Sequence, residues 1–273
     1  MKQYISITFK TQDAIQRAVL NYKLNEAGVE SIEEREVDVV AYFEEDEWGR
    51  AKQELDLSEI EYEVVHVKNE NWNAKWEASF EPVNINDFCY VRAPFHSEST
   101  KAGMIDLILE PKMAFGTAHH ETTFMMISQM KEINFEGQFV FDYGCGTAIL
   151  SILAEKLGAS GIYAIDIEEN AVENAKYNAE INGCEKITCD QKTLDETEEF
   201  GYDVILANIN RGVLLNTAKP LLNFLKKGGV LLLSGILKED EELVVNTYLT
   251  AGFTLDNSIQ KGEWMCLKLS KVI

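Results

Sequence analysis

The sequence is short of positive charge. Its 25 Lys and Arg face 46 Asp and Glu, a formal net charge of −21. A protein that grips nucleic acid needs a basic footprint to displace phosphate counterions, so direct nucleic-acid binding is not expected. Cysteine is sparse too. Cys89, Cys145, Cys184, Cys189 and Cys266 are odd in number, scattered and never paired as CxxC. That argues against a disulfide framework or a thiolate zinc site and for a reducing cytoplasm. No apolar run approaches the roughly 20 residues that span a bilayer. The opening MKQYISITFKTQD alternates like a strand and lacks a signal-peptide core, so no membrane association is expected.

With 273 residues, 46% of them hydrophobic, the chain can build one large domain or a large and a small one. Residues 1–80 hold 18 acidic against 9 basic residues, a denser acidity than the remainder. Such a surface steers a basic partner toward it. It equally serves solubility alone, and both readings stay open here.

The first 68 residues read βαββαβ. QYISITFK alternates Ile5, Ile7 and Phe9 against polar neighbours, a strand. A helix follows with Thr11 as N-cap, Ala14, Ile15, Ala18, Val19 and Tyr22 as its apolar stripe, and Gly28 as its stop. A strand pair broken near Glu34–Glu36, a short helix around Trp48–Leu55 and a strand over 61–68 complete the unit. The order predicts a small ferredoxin-like α+β domain over 1–68 with a binding or positioning role. The run EEDE, 44–47, reads as a solvated turn. Residues 69–82 read as a linker helix with Trp72, Trp76 and Phe80 on one face.

From 83 onward the rhythm changes. DFCYVRAP and MIDLILEP read as strands, and HHETTFMMISQMKEI as a helix. QFVFDYG, GIYAID, YDVILAN and GGVLLLSGI then alternate with helices over 147–157, 168–182, 212–226 and 238–250. Strands apolar on both faces belong to a parallel sheet covered by helices. The tail adds two strands around Lys261–Gly262, an antiparallel hairpin. A doubly wound, Rossmann-like sheet ending in such a hairpin is the layout of class I methyltransferases, expected over 83–273.

The stretch FDYGCGTAILSILAEKLGASGIYAIDIEEN bears on the ligand. The dinucleotide fingerprint needs a third glycine, and Ile149 stands there. Asp142, two residues before Gly144, would repel a pyrophosphate but suits a ligand carrying an ammonium and a sulfonium. Asp166 ends the next strand, where a carboxylate accepts from both ribose hydroxyls. Asp142, Gly144, Gly146 and Asp166 together favour S-adenosylmethionine. Asn208 follows a strand at the same carboxyl edge, and its amide oxygen suits aiming an acceptor amine at a sulfonium methyl. In FGTAHHETT, Thr122 and Thr123 stay open between capping a helix and binding the cofactor. No carboxylate or Cys set shares helical spacing with His119 and His120, so no metal is expected. His120 reads as a structural or substrate-lining residue ahead of a general base.

MAFGTAHHETT, DYGCGTAILSILAEKLGA, AIDIEENAVENAKYNAEING and ANI together resemble the family of methyltransferases that modify large-subunit ribosomal protein L11. The resemblance covers almost the whole chain, including NWNAKWEASFEP. It implies a head that recognises the basic substrate protein, and a catalytic domain that trimethylates lysine side chains and the terminal amine from S-adenosylmethionine. By position it implies cofactor contacts at Thr123, Gly144, Asp166 and Asn208. The family pattern Gly-Thr-Gly-x-His-x-Thr-Thr has Ala118 at its second glycine, and an Ala resists positive φ, so a shifted loop is expected. A monomer is expected. The alternative is a methyltransferase of the same fold acting on another protein amine or amide. Enzymes of this fold acting on glutamine or adenine carry Asn-Pro-Pro-Tyr where this chain has Asn208-Ile209-Asn210-Arg211, so a flexible lysine fits better than a flat acceptor.

Overall fold

The computed structural model describes residues 4–11, 13–29, 31–35, 38–55, 57, 60–67, 81–98, 101, 103–110, 116–198 and 200–272. They fall in two compact units, Met1–Phe80 and Glu81–Ile273. The expected linker helix, with Trp72, Trp76 and Phe80, lies outside the described residues but for 81–82, which are not helical.

In the first unit, β1 (Tyr4–Lys10), β2 (Ser31–Glu34), β3 (Asp38–Glu44) and β4 (Tyr62–Val67) form an antiparallel sheet in the order β2-β3-β1-β4. Helices α1 (Ala14–Glu26) and α2 (Glu45–Glu54) complete the chain order. Ile5, Ile7 and Phe9 alternate onto one face and join Val39, Ala41 and Phe43 in the core, because side chains in a strand alternate sides. Trp48 of α2 closes that core, its ring 5.4 Å from Phe43 and 6.4 Å from Phe9. Three local expectations change. Asp13, not Thr11, caps α1, accepting from the Gln16 amide at 2.8 Å. Leu20 and Leu24, one turn apart, face the core, whereas Val19 is half exposed. The EEDE run is no turn: Glu44 ends β3 and 45–47 open α2.

The second unit carries a seven-stranded sheet ordered β10-β9-β8-β11-β12-β14-β13. Its strands are β8 (Phe139–Tyr143), β9 (Gly161–Asp166), β10 (Ile187–Gln191), β11 (Tyr202–Asn208), β12 (Leu225–Leu237), β13 (Phe253–Lys261) and β14 (Trp264–Lys271). The first five are parallel, and β14 runs antiparallel to both β12 and β13, as the tail pattern predicts. Helices α3 (Glu121–Met130), α4 (Ile149–Lys156) and α5 (Glu169–Ile181) pack on one face. Helices α6 (Arg211–Phe224) and α7 (Glu241–Ala251) pack on the other around Phe141, Leu214, Leu221 and Tyr248. Strand β10 escapes the sequence reading. It is an edge strand in which only Cys189 is fully buried, so it lacks the apolar run of its neighbours. The two lead-in strands, β6 (Cys89–Arg92) and β7 (Ile105–Ile108), do not join this sheet. With β5 (Val83–Ile85) they form a separate three-stranded sheet whose Ile85, Val91 and Leu107 pack under α3.

Candidate active site

Strand β8 pairs with both β9 and β11, so the chain leaves β8 toward one edge and later returns to the other. Such a reversal opens a crevice beyond the carboxyl ends of the strands. A cavity of about 480 Å³ lies there, lined by Tyr143, Gly144 and Gly146 at the end of β8, Asp166 to Glu168 at the end of β9, and Asn208 to Asn210 at the end of β11. That volume suits a ligand of nucleoside size.

The glycine turn is held open by its own backbone. Gly144 sits at φ 74°, and a Cβ there would lie 2.3 Å from Ile209 Cγ2. The Gly144 and Cys145 amides donate to the Ile165 carbonyl at 2.9 and 3.0 Å. Asp166 ties the turn to the next strand, its Oδ2 accepting from Gly146 N at 2.9 Å and its Oδ1 from Glu168 N at 3.1 Å. A carboxylate has about four acceptor positions, so two bonds leave capacity for a diol in the cavity. Asp166→Ala is expected to weaken S-adenosylmethionine binding by about 1.5–3 kcal/mol, the worth of a charge-assisted bond. Calorimetry checks it, and unchanged affinity would move the ribose elsewhere.

Asn208 carries the feature least explained by folding. Its Nδ2 donates to Thr123 Oγ1 at 3.2 Å, and its Oδ1 is buried with no hydrogen-bond partner. A buried acceptor left unpaired is costly, and Asn208 is one of the residues that line the cavity. Of the six sequence-derived residues, Gly144, Gly146, Asp166 and Asn208 line the cavity. Thr123 and Asp142 do not. Thr123 is buried behind Asn208, and neither threonine caps α3; His120 does, its Nδ1 accepting from Thr122 N at 3.3 Å. His120 also lines the cavity, edge-on to Trp264 with ring centroids 4.8 Å apart. His119 instead bonds the Glu81 carbonyl through Nε2 at 2.9 Å.

Asp142 is fully buried and accepts from Ser151 Oγ at 2.6 Å. Burial pushes its carboxyl up to about 7, against the downward pull of Ser151's two bonds and with a smaller upward push from the Asp166 charge. In the unfolded chain it titrates near 4. Between these values the folded state holds the extra proton, so stability from this group is full below pH 4 and is lost as pH rises toward 7. Asp142→Asn is expected to gain stability relative to the parent across that window. Denaturant titrations at pH 4.5 and pH 7.5 check it, and a difference independent of pH would rule it out.

Ala118 takes the positive φ that an alanine resists. It adopts φ 68° with its methyl buried, as Ala148 does at φ 60° before α4. The left-handed conformation costs an alanine about 1–2 kcal/mol, partly offset by about 0.8 kcal/mol for a buried methyl.

Sequence reasoning missed Gly235, Trp264 and Lys192, all of which line the cavity. The signal at Gly235 was a glycine inside an apolar strand. It also missed three asparagines one turn apart, Asn174 and Asn178 on α5 and Asn182 at its C-cap. Asn178 accepts from Glu110 N at 2.9 Å and donates to Thr147 O at 3.0 Å; Asn182 accepts from Ile108 N at 3.0 Å and donates to Ile108 O; Asn174 Oδ1 accepts from Asn178. The helix thus replaces a strand partner for 108–110 and holds the end of the glycine turn. Asparagine is a poor helix former, and its repetition at i, i+4 and i+8 was the available signal. Asn178→Ala leaves a buried donor and acceptor unpaired, an expected loss of about 2 kcal/mol in chemical denaturation.

The fold and the glycine-turn cavity define a class I S-adenosylmethionine-dependent methyltransferase. The family model described as ribosomal protein L11 methyltransferase (PrmA) matches residues 3–272, and the chain belongs to that family. A protein of that name from Bacteroides fragilis is 34% identical over 277 residues, spanning 97% of this chain and 99% of the relative. One from Porphyromonas gingivalis is 41% identical over 204 residues, 73% of this chain and 69% of the relative. The crystal structure of a ribosomal protein L11 methylase from Lactobacillus delbrueckii subsp. bulgaricus superposes with a TM-score of 0.67 at 26% identity, covering 71% of this chain and all of that one.

Proposed function

We propose that this protein transfers methyl groups from S-adenosylmethionine to lysine side-chain and N-terminal amines of ribosomal protein L11, as a cytoplasmic monomer. The observation that carries the reading is the unpaired, buried Oδ1 of Asn208 in a cavity otherwise built for a nucleoside. When bound, the cofactor supplies an electrophilic methyl on a sulfonium. Asp166 would hold the ribose, and the turn of Gly144 and Gly146 would let the main chain approach the ligand closely. Asp142, behind that turn, would not touch the ligand and would brace the end of β8 against α4 through Ser151. Thr123 holds the Asn208 amide so that its oxygen accepts an N–H of the incoming amine and turns the lone pair toward the methyl. An amine reacts only when neutral, so the acceptor must shed a proton before transfer.

The N-terminal βαββαβ unit would deliver the substrate. Its 18 acidic against 9 basic residues over 1–80 complement a basic ribosomal protein, and such steering weakens beyond a Debye length of about 8–10 Å. The test is mass spectrometry of L11 after incubation with the enzyme and labelled cofactor, at low and high salt. Label on lysines and the terminal amine, acquired more slowly as salt rises, is the expected result. No label on L11 would overturn the substrate, and a salt-independent rate would remove the steering role.

A further inference from the structure

The cavity holds a cation that neither the glycine turn nor the acceptor site uses. Among the described residues lining it, Lys192 is the sole Lys or Arg. This is unexpected in a chain of net charge −21 and in a pocket proposed for a ligand that is itself cationic.

The position of Lys192 is built rather than incidental. It follows β10, and its amide donates to the Asp166 carbonyl at 3.1 Å. Gln191 Nε2 donates to the Ile167 carbonyl at 3.0 Å, so the end of β10 is clasped to the turn that carries Asp166. The side chain is tethered as well. Its ammonium donates to Tyr163 Oη at 3.1 Å and lies 3.5 Å from Asp190 Oδ2, while Tyr163 Oη donates to that same oxygen at 2.9 Å. An ammonium has three N–H donors and no acceptor, and these two partners occupy two of them.

The sheet order places Lys192 relative to the other residues of the cavity. Along the crevice the strand ends run β10, β9, β8, β11, placing Lys192, Asp166, Gly144 and Asn208 in that sequence. In an adenosyl ligand the ribose diol lies between the sulfonium and the base. With the sulfonium methyl aimed toward Asn208 and the diol on Asp166, the base falls on the β10 side. Ile167, with 63% of its surface exposed at the cavity, offers an apolar face there. Adenine presents ring nitrogens that only accept, which a donor-only side chain matches.

We propose that Lys192 is a specificity-determining residue for the nucleoside, its ammonium donating to a ring nitrogen of the adenine. The inference rests on the cofactor reading above and adds the base to it. The test is calorimetry on the full chain with S-adenosylhomocysteine and its 1-deaza, 3-deaza and 7-deaza adenine analogues, for the parent and Lys192→Met. The parent is expected to lose about tenfold in affinity for one of the three analogues, the scale of one partly solvated charge-assisted bond. Lys192→Met is expected to lose about as much for S-adenosylhomocysteine itself and to show no further penalty for that analogue. A purely structural lysine would weaken all four ligands alike and leave the analogue penalties unchanged in the variant, which overturns the inference. Unchanged affinity in Lys192→Met overturns it too. If the parent binds none of the four ligands, the cofactor reading falls first and this inference with it.

Discussion

Replacing Asn208 by Ala is expected to lower methyl-transfer turnover by about 10²–10³-fold, the usual effect of removing one preorganised polar group aimed at a reacting centre. Cofactor affinity should change by less than about tenfold, since a single neutral hydrogen bond contributes about 0.5–1.5 kcal/mol. The asymmetry follows from how the amide is held. Thr123 is buried in the first turn of α3, and its hydroxyl accepts from Nδ2, which leaves Oδ1 turned away from α3 and without a partner. A group that aims the acceptor works chiefly on the path to the transition state, so its removal appears in kcat. Thr123→Val frees the amide without deleting it and should give a smaller loss of the same kind. Turnover with labelled cofactor, set beside calorimetric affinity, checks both variants. Equal losses in binding and turnover would make Asn208 a cofactor contact only.

Gly235→Ala is expected to destabilise the catalytic unit by about 3–5 kcal/mol, among the largest effects a single methyl can have. Gly235 sits at φ 93°, and a Cβ there would stand 2.1 Å from the Ile209 carbonyl oxygen and 2.8 Å from its carbon. These are backbone atoms, so no rotamer change relieves the clash. Strand β12 and the Asn208–Asn210 turn must separate, and both line the same cavity. Stability and cofactor binding should therefore fall together. Gly183→Ala is the control. It shares a positive φ, 67°, but nothing lies within 4 Å of its added Cβ, so only about 1 kcal/mol of strain is expected. Denaturant unfolding of the two variants checks the contrast, and similar losses would show that the close approach at Gly235 relaxes easily.

Both results bear on how far the chain could be read without its fold. The helices and most strands were legible because periods of 3.6 and 2 write the buried face directly into the order of residues. The turn at Gly144 and Gly146 was legible because positive φ at 74° and 53° is open to glycine and to few other residues. Strand β10 was not, since an edge strand with one buried residue carries little pattern. Nor was the separate sheet of β5, β6 and β7, because pairing partners are chosen by packing rather than by the strand's own residues.

At the cavity, the sequence by itself determined which chemical groups stand at the carboxyl edge: an acid ending β9, an amide ending β11 and a glycine turn after β8. Each depends on position along one strand and its following turn, a range of a few residues. Tertiary structure alone decided which atoms face inward. Asp142 precedes the glycine turn by two residues yet turns away to Ser151. Asn208 meets Thr123 from 85 positions away, and Asn178 meets Glu110 from 68. Ala118 takes a glycine's conformation with its methyl buried in the core. Contacts at such separations depend on how whole layers pack, and close packing settles side-chain direction only once every neighbouring element is in place.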